Sequence, residues 1–241
     1  MNNNALTTPA SPGPSNSELL QRTTEITCSP LYSAYSRFWA NHDLDRLAVA
    51  FLILMHQLVR ASVPLMEVAR RVADERAESD PVCRGIALYM TRHIEEERDH
   101  DRWLLDDLEA AAIERETVLQ MVPSPTVASL VGAQYYWIHH HHPVALLGYI
   151  RLLEGNPPSA DHVERLKELT HLPDDAFRTY RLHGELDPLH LREFDEMLDA
   201  LPLSRSQLAL VGTSATHTAH FLARCLDQLE REPQHTLDLQ A

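Results

Sequence analysis

A carboxylate followed three residues later by an imidazole recurs on two inward-facing apolar lines of this chain. Glu97-x-x-His100 lies in a stretch whose apolar line reads Ile86, Met90, His93, Glu97, His100, Leu104, Leu108. Steps of three and four residues trace one face of a helix, so an acid and two imidazoles point toward a core. Asp187-x-x-His190 repeats the device on the line Ala176, Tyr180, His183, Asp187, His190, Phe194, Leu198, with His183 one turn earlier. Between the two, Val144 to Glu154 is almost wholly apolar and ends in a carboxylate, with Gly148 available for close backbone packing. Burying an unpaired carboxylate costs several kcal/mol or forces it neutral, and a cation is the simplest compensation. Glu97, Glu154 and Asp187 with His100, His183 and His190 combine hard oxygen and borderline nitrogen donors without a thiolate. That set suits iron or manganese, and its acids can bridge two ions.

Each piece has an ordinary reading as well. An isolated E-x-x-H is common, and Asp187-Pro188 alone reads as an N-cap followed by proline at the first helical position. His93 reads first as a core histidine and second as an extra ligand. Glu67, past Pro64, is a further candidate carboxylate. Three separate segments that each turn ligand-type residues inward favour the metal. His139 to His142 stand mid-chain, where four adjacent residues point in every direction, so capping or solvated roles suit most of them. His217 and His220 read as structural, and Tyr135, Tyr136 and Tyr180 fit either a pocket wall or the core.

The elements that must position these residues read as helices throughout. Patterns over 44–77 (with a kink expected at Pro64), 80–116, 125–154, 161–170, 173–200 and 207–230 share the helical period, and alternating strand patterns are absent. Asp80-Pro81 opens one helix, and Gly155-Asn156-Pro157-Pro158 stops another. The fold class is all-α, a single domain over 28–232, with a disordered N-terminal tail at 1–27 and a short C-terminal tail at 233–241. Among the 241 residues, Lys+Arg number 21 against 35 Asp+Glu, a net charge of −14. This excludes the basic footprint of a nucleic-acid or anionic-membrane binder. No Gly-rich phosphate loop of either common type occurs. Cys28, Cys83 and Cys225 form no CxxC pair, no apolar run approaches the length of a membrane span, and the N-terminus lacks a signal-peptide pattern, so a reduced, cytoplasmic protein is expected.

The order Glu97-x-x-His100, then His142-Pro143 through Gly148 to Leu153-Glu154-Gly155, then His183-x3-Asp187-x2-His190, resembles the heme-oxygenase-like diiron oxidases. The resemblance covers roughly 44–230. It implies a heme-oxygenase-like bundle of about seven helices that holds two non-heme ferrous ions and no heme, with O2 as co-substrate. Glu97, His100, Glu154, His183, Asp187 and His190 would be the ligands. Some members add a carboxylate from a preceding helix, for which Glu67 is the candidate here. Others carry an acid at the position occupied by His93. Members oxidise small amines, amino acids or fatty acids by N-oxygenation, oxidative C–C cleavage, decarboxylation or desaturation, often in natural-product biosynthesis. A small-molecule substrate, an external reductant and a homodimer accord with this. Two alternatives stand beside it. One is a cofactor-free enzyme of the same fold, thiaminase-like or quinone-cofactor-biosynthesis-like, for which Cys83 and Cys225 show no partner base. The other is a ferritin-like iron-binding helical protein, from whose layout His183 and Asp187 depart.

Overall fold

The most apolar stretch of the sequence becomes α3 (Leu44–Asp74), 31 residues long and continuous through Pro64, where the sequence suggests a kink. Pro64 lies on an exposed face. Of the described helices α3 alone has the length and composition to cross a membrane, with a mean hydropathy of 1.6 over its most apolar window. Most of that window is buried in the protein, because α3 packs on α4 (Pro81–Glu96), α5 (His100–Ala110) and α7 (Pro125–His140). The computed structural model describes residues 13–231.

Around this helix lie α1 (Asn16–Thr27), α2 (Ser29–Trp39), α6 (Arg115–Gln120), α8 (Leu146–Glu154), α9 (Ala160–Thr170), α10 (Arg178–Ala200) and α11 (Arg205–Arg231). Short 3-10 turns at Pro143–Ala145 and Asp174–Phe177 lead into α8 and α10, and the described residues include no strand. The expected all-α fold is what the chain forms, with eleven α-helices among the described residues rather than about seven. Part of the excess comes from breaks: the 80–116 pattern splits at Glu97–Asp99, and the 125–154 pattern splits at His141–His142.

The expected tail at 1–27 ends earlier, because Asn16–Thr27 is a helix. Ser15 and Glu18 form a reciprocal capping box, and Leu20 is buried. Asn16 Nδ2 donates to the carbonyls of Leu198 and Leu201, which ties α1 to the end of α10. A polar composition hid one apolar stripe and a good cap. Residues 1–12 and the expected tail at 233–241 lie outside the described residues.

Local signals explain the other boundaries. Asp80 Oδ1 accepts from the N–H groups of Val82 and Cys83 ahead of Pro81, as its sequence suggests. Gly148 lets α8 lie against α11. A Cβ there would stand 2.2 Å from the Val211 carbonyl oxygen and 2.6 Å from the Ala215 nitrogen.

One core residue makes the fold sensitive to acid. His56 on α3 is fully buried, and neither ring nitrogen has a hydrogen-bond partner. Burial, with Arg60 adding to it, drives its pKa from 6.5 down to about 4. The folded protein thus resists protonation that the unfolded chain accepts. This stability is present above pH 6.5 and is lost as pH falls through about 4. The loss amounts to about 3 kcal/mol. Unfolding of the metal-free protein at pH 7 and pH 4.5 checks this: His56→Leu should flatten the difference, and an unchanged difference would refute it.

Candidate metal centre

Four helices and the break between two of them bring the inward acids and imidazoles together. His93 stands on the last turn of α4, Glu97 caps that helix, and His100 opens α5. Asp99 between them takes a left-handed conformation, φ 68°, one of the few non-glycine residues to tolerate it. The break preserves the i, i+3 relation: His100 Nδ1 lies 2.9 Å from Glu97 Oε2. Glu154 is the last residue of α8. His183, Asp187 and His190 follow one face of α10, which continues through Pro188, so Asp187 caps no helix start.

Two groups of ligand atoms result, each with its members within 4.8 Å of one another: Glu97, His100 and His183, and His93, Glu97 and Glu154. Glu97 belongs to both. His190 Nδ1 faces the second group, 3.5 Å from Glu97 Oε1 and 4.0 Å from Glu154 Oε2. The imidazoles pack against one another and against aromatic rings: His100 on Trp103 and His183, His93 on His190 and stacked on Tyr89.

Two residues make contacts that the sequence did not indicate. Asp187 enters neither group; its Oδ1 pairs with His183 Nδ1 at 2.9 Å. This leaves His183 Nε2 turned to the cluster, the arrangement by which a carboxylate orients a histidine ligand. His93, read first as a core histidine, bridges two acids, with Nε2 2.8 Å from Glu154 Oε1 and Nδ1 3.2 Å from Glu96 Oε2. Burial opposes its protonation, but the charge and hydrogen bond of Glu154 prevail and lift its pKa to about 9. Glu67 is exposed and belongs to neither group. In its place α3 offers the cavity Ser62 and Met66. Glu96 is the participant missed in the sequence, where it sits inside a run of charge with nothing to set it apart.

The fit to metal rests on orphaned polar atoms. Glu97 Oε1, Glu154 Oε2, His183 Nε2 and His190 Nδ1 are buried and make no well-aligned hydrogen bond within the protein, and His100 Nδ1 makes none either despite lying 2.9 Å from Glu97 Oε2. Native folds rarely leave such groups unpaired, and here five gather in one place. Burial pushes Glu154 up despite His93, whereas contact with His100, His183 and His93 outweighs burial and holds Glu97 below its ordinary range. Hard carboxylates and imidazoles of this kind fit iron.

The cluster forms one end of a cavity of about 590 Å3 between α2, α3, α8 and α10. Residues 156–159 border it, and their backbone runs close to α10: a Cβ on Gly184 would stand 2.5 Å from the Pro158 carbonyl oxygen.

A second group, Asp80, Cys83 and His142, also gathers ligand-type atoms. Cys83, which seemed to lack a partner base, has its Sγ 3.4 Å from His142 Nε2. His142 Nδ1 accepts from the Val144 N–H, so its proton is on Nε2 and is donated to Asp80 Oδ2 at 3.0 Å. This tautomer leaves no lone pair for the thiol or for a metal. Burial, then Asp80, drives the thiol up to about 12. The group caps helices, the role the sequence suggested for part of the histidine run.

The described residues thus form an all-helical bundle with a buried acid–histidine cluster beside a cavity. The chain belongs to the family of iron-containing redox enzymes, whose profile matches residues 86–223. Similar solved structures include a domain of unknown function with a heme oxygenase-like fold from Shewanella denitrificans, 18% identical, with a TM-score of 0.73 and coverage of 92% of this chain and 94% of that one. A TenA homolog from Pseudomonas syringae pv. tomato is 12% identical, with a TM-score of 0.66 and coverage of 92% and 98%. A CADD-like protein of unknown function from Nostoc punctiforme is 15% identical, with a TM-score of 0.63 and coverage of 94% and 96%. At these identities the likeness is one of fold, and the fold is heme-oxygenase-like. Comparison with curated proteins finds no match.

Proposed function

We propose that the protein is a non-heme diiron oxidase or oxygenase that uses O2 and an external reductant on a small metabolite, in natural-product biosynthesis. The observation that carries this reading is the convergence of five unpartnered buried donor atoms on one end of a cavity. Glu97 and Glu154 with His100, His183 and His190 would hold the ions, Glu97 shared between them and His183 held in place by Asp187. Bound iron supplies the electrons and open coordination positions that O2 chemistry needs. The protein holds Glu97 ionised through its histidine neighbours, fixes the imidazoles by packing, and seats the substrate in a largely apolar cavity. His93 holds Glu154 by one oxygen and balances charge. A thiaminase-like enzyme of the same fold that used a cysteine nucleophile would need that thiol at the cavity, and none of the described lining residues is a cysteine.

Anaerobic ferrous titration of the metal-free protein, followed by O2 uptake at an electrode, tests the proposal. Saturation at about two ions per chain with rapid O2 consumption is expected. Absence of iron binding in the presence of reductant would sink it, and iron uptake without O2 consumption would sink the oxidase reading alone.

A further inference from the structure

The cavity wall beyond the cluster points to a substrate class, an inference that rests on the cluster's being the reacting end. The charged lining is one-sided. Glu97, Glu154 and Asp187 stand at one end, and none of the described lining residues is lysine or arginine. A carboxylate placed away from the cluster would lie buried without a cation, which disfavours it.

The rest of the wall is rich in aromatic rings. Trp39 meets Phe51 at 4.9 Å and His162 at 5.5 Å between ring centroids, both edge-to-face, and His162 meets Tyr180 at 6.2 Å. Tyr35, Trp39, His162 and Tyr180 all line the cavity. Their polar atoms are neutral: burial raises the phenol of Tyr35 to about 12, raises that of Tyr180 also, and lowers the imidazole of His162. The buried indole N–H of Trp39 has no partner. Such walls reward a flat π-surface through edge and offset contacts that an alkyl chain cannot make.

We propose that the cavity binds an arylalkylamine, its ring among Trp39, His162 and Tyr180 and its nitrogen toward the cluster end. Calorimetric titration of the metal-free full-length chain with phenethylamine, hexylamine and 3-phenylpropionate tests this. Phenethylamine should bind about tenfold more tightly than either other probe. Trp39→Leu and Tyr180→Leu should each weaken it about fivefold to tenfold, while Tyr180→Phe keeps it. Hexylamine or 3-phenylpropionate binding as tightly as phenethylamine overturns the proposal, as does no binding by any probe. The comparison of probes on the native chain stands even if a leucine variant misfolds. Iron plays no part in this titration, so its failure leaves ferrous binding untouched, and a failure of ferrous binding leaves the ring pocket standing.

Discussion

Glu97→Gln is expected to abolish most ferrous binding, because Glu97 belongs to both ligand groups and no other residue does. Removing a shared carboxylate lowers affinity at both positions, by at least about a hundredfold if an orienting group alone is worth 10–100-fold. The metal-free fold should survive, since glutamine keeps the shape and removes a buried charge. Thermal unfolding with and without ferrous ion separates the effects. Bound metal stabilises the native chain by mass action, so iron should raise the Tm of the parent protein and leave that of the variant unmoved. Glu95→Gln, two residues away and exposed, is the control. Asp187→Asn refines the picture: a holder of His183 loses affinity with stoichiometry kept, whereas a direct ligand loses stoichiometry. Full ferrous binding by Glu97→Gln would refute the shared role.

Gly148→Ala should be strongly destabilising. The added methyl would meet the backbone of α11, at the Val211 carbonyl and the Ala215 nitrogen, and backbone cannot rotate aside as a side chain can. Alanine gains about 1 kcal/mol over glycine in helix propensity. The overlap outweighs that gain, and a net loss of about 3 kcal/mol is expected, a fall in Tm of roughly 6–12 °C. Gly132→Ala provides the opposite sign: it lies in α7 with nothing within 4 Å of its Cβ position, so the same change should stabilise by up to about 1 kcal/mol. Calorimetry of both variants decides the matter; equal shifts would show that α8 and α11 are not packed as described.

The contrast between those two glycines bears on what a sequence discloses. Gly148 stood out because it interrupts an otherwise apolar helix, and the inward line Tyr180, His183, Asp187, His190 was legible for the same reason, a regular period with polar exceptions. The break at Glu97–Asp99 was not legible. No glycine or proline marks it, and Asp99 takes up its left-handed turn because α4 and α5 must each lie on α3. The function of Asp187 could not be read either, since ligand and holder share one spacing and differ only in which imidazole nitrogen meets the cluster. Glu67 looked well placed along the chain, but its side of α3 faces solvent. The cavity wall from α2 escaped notice because Tyr35 and Trp39, four residues apart, look like ordinary core aromatics until α10 and His162 are set opposite them. α1 was hidden by its polar composition.

The stretch Gly155 to Ser159 ties two things together. Glu154 immediately precedes it, and Pro158 presses on Gly184, the residue after His183. The rim of the cavity is thus continuous at one end with a cluster carboxylate and braced at the other against the neighbour of a cluster imidazole. A guest that displaced this rim would load Glu154 through the chain and His183 through Gly184, members of the two ligand groups that Glu97 shares.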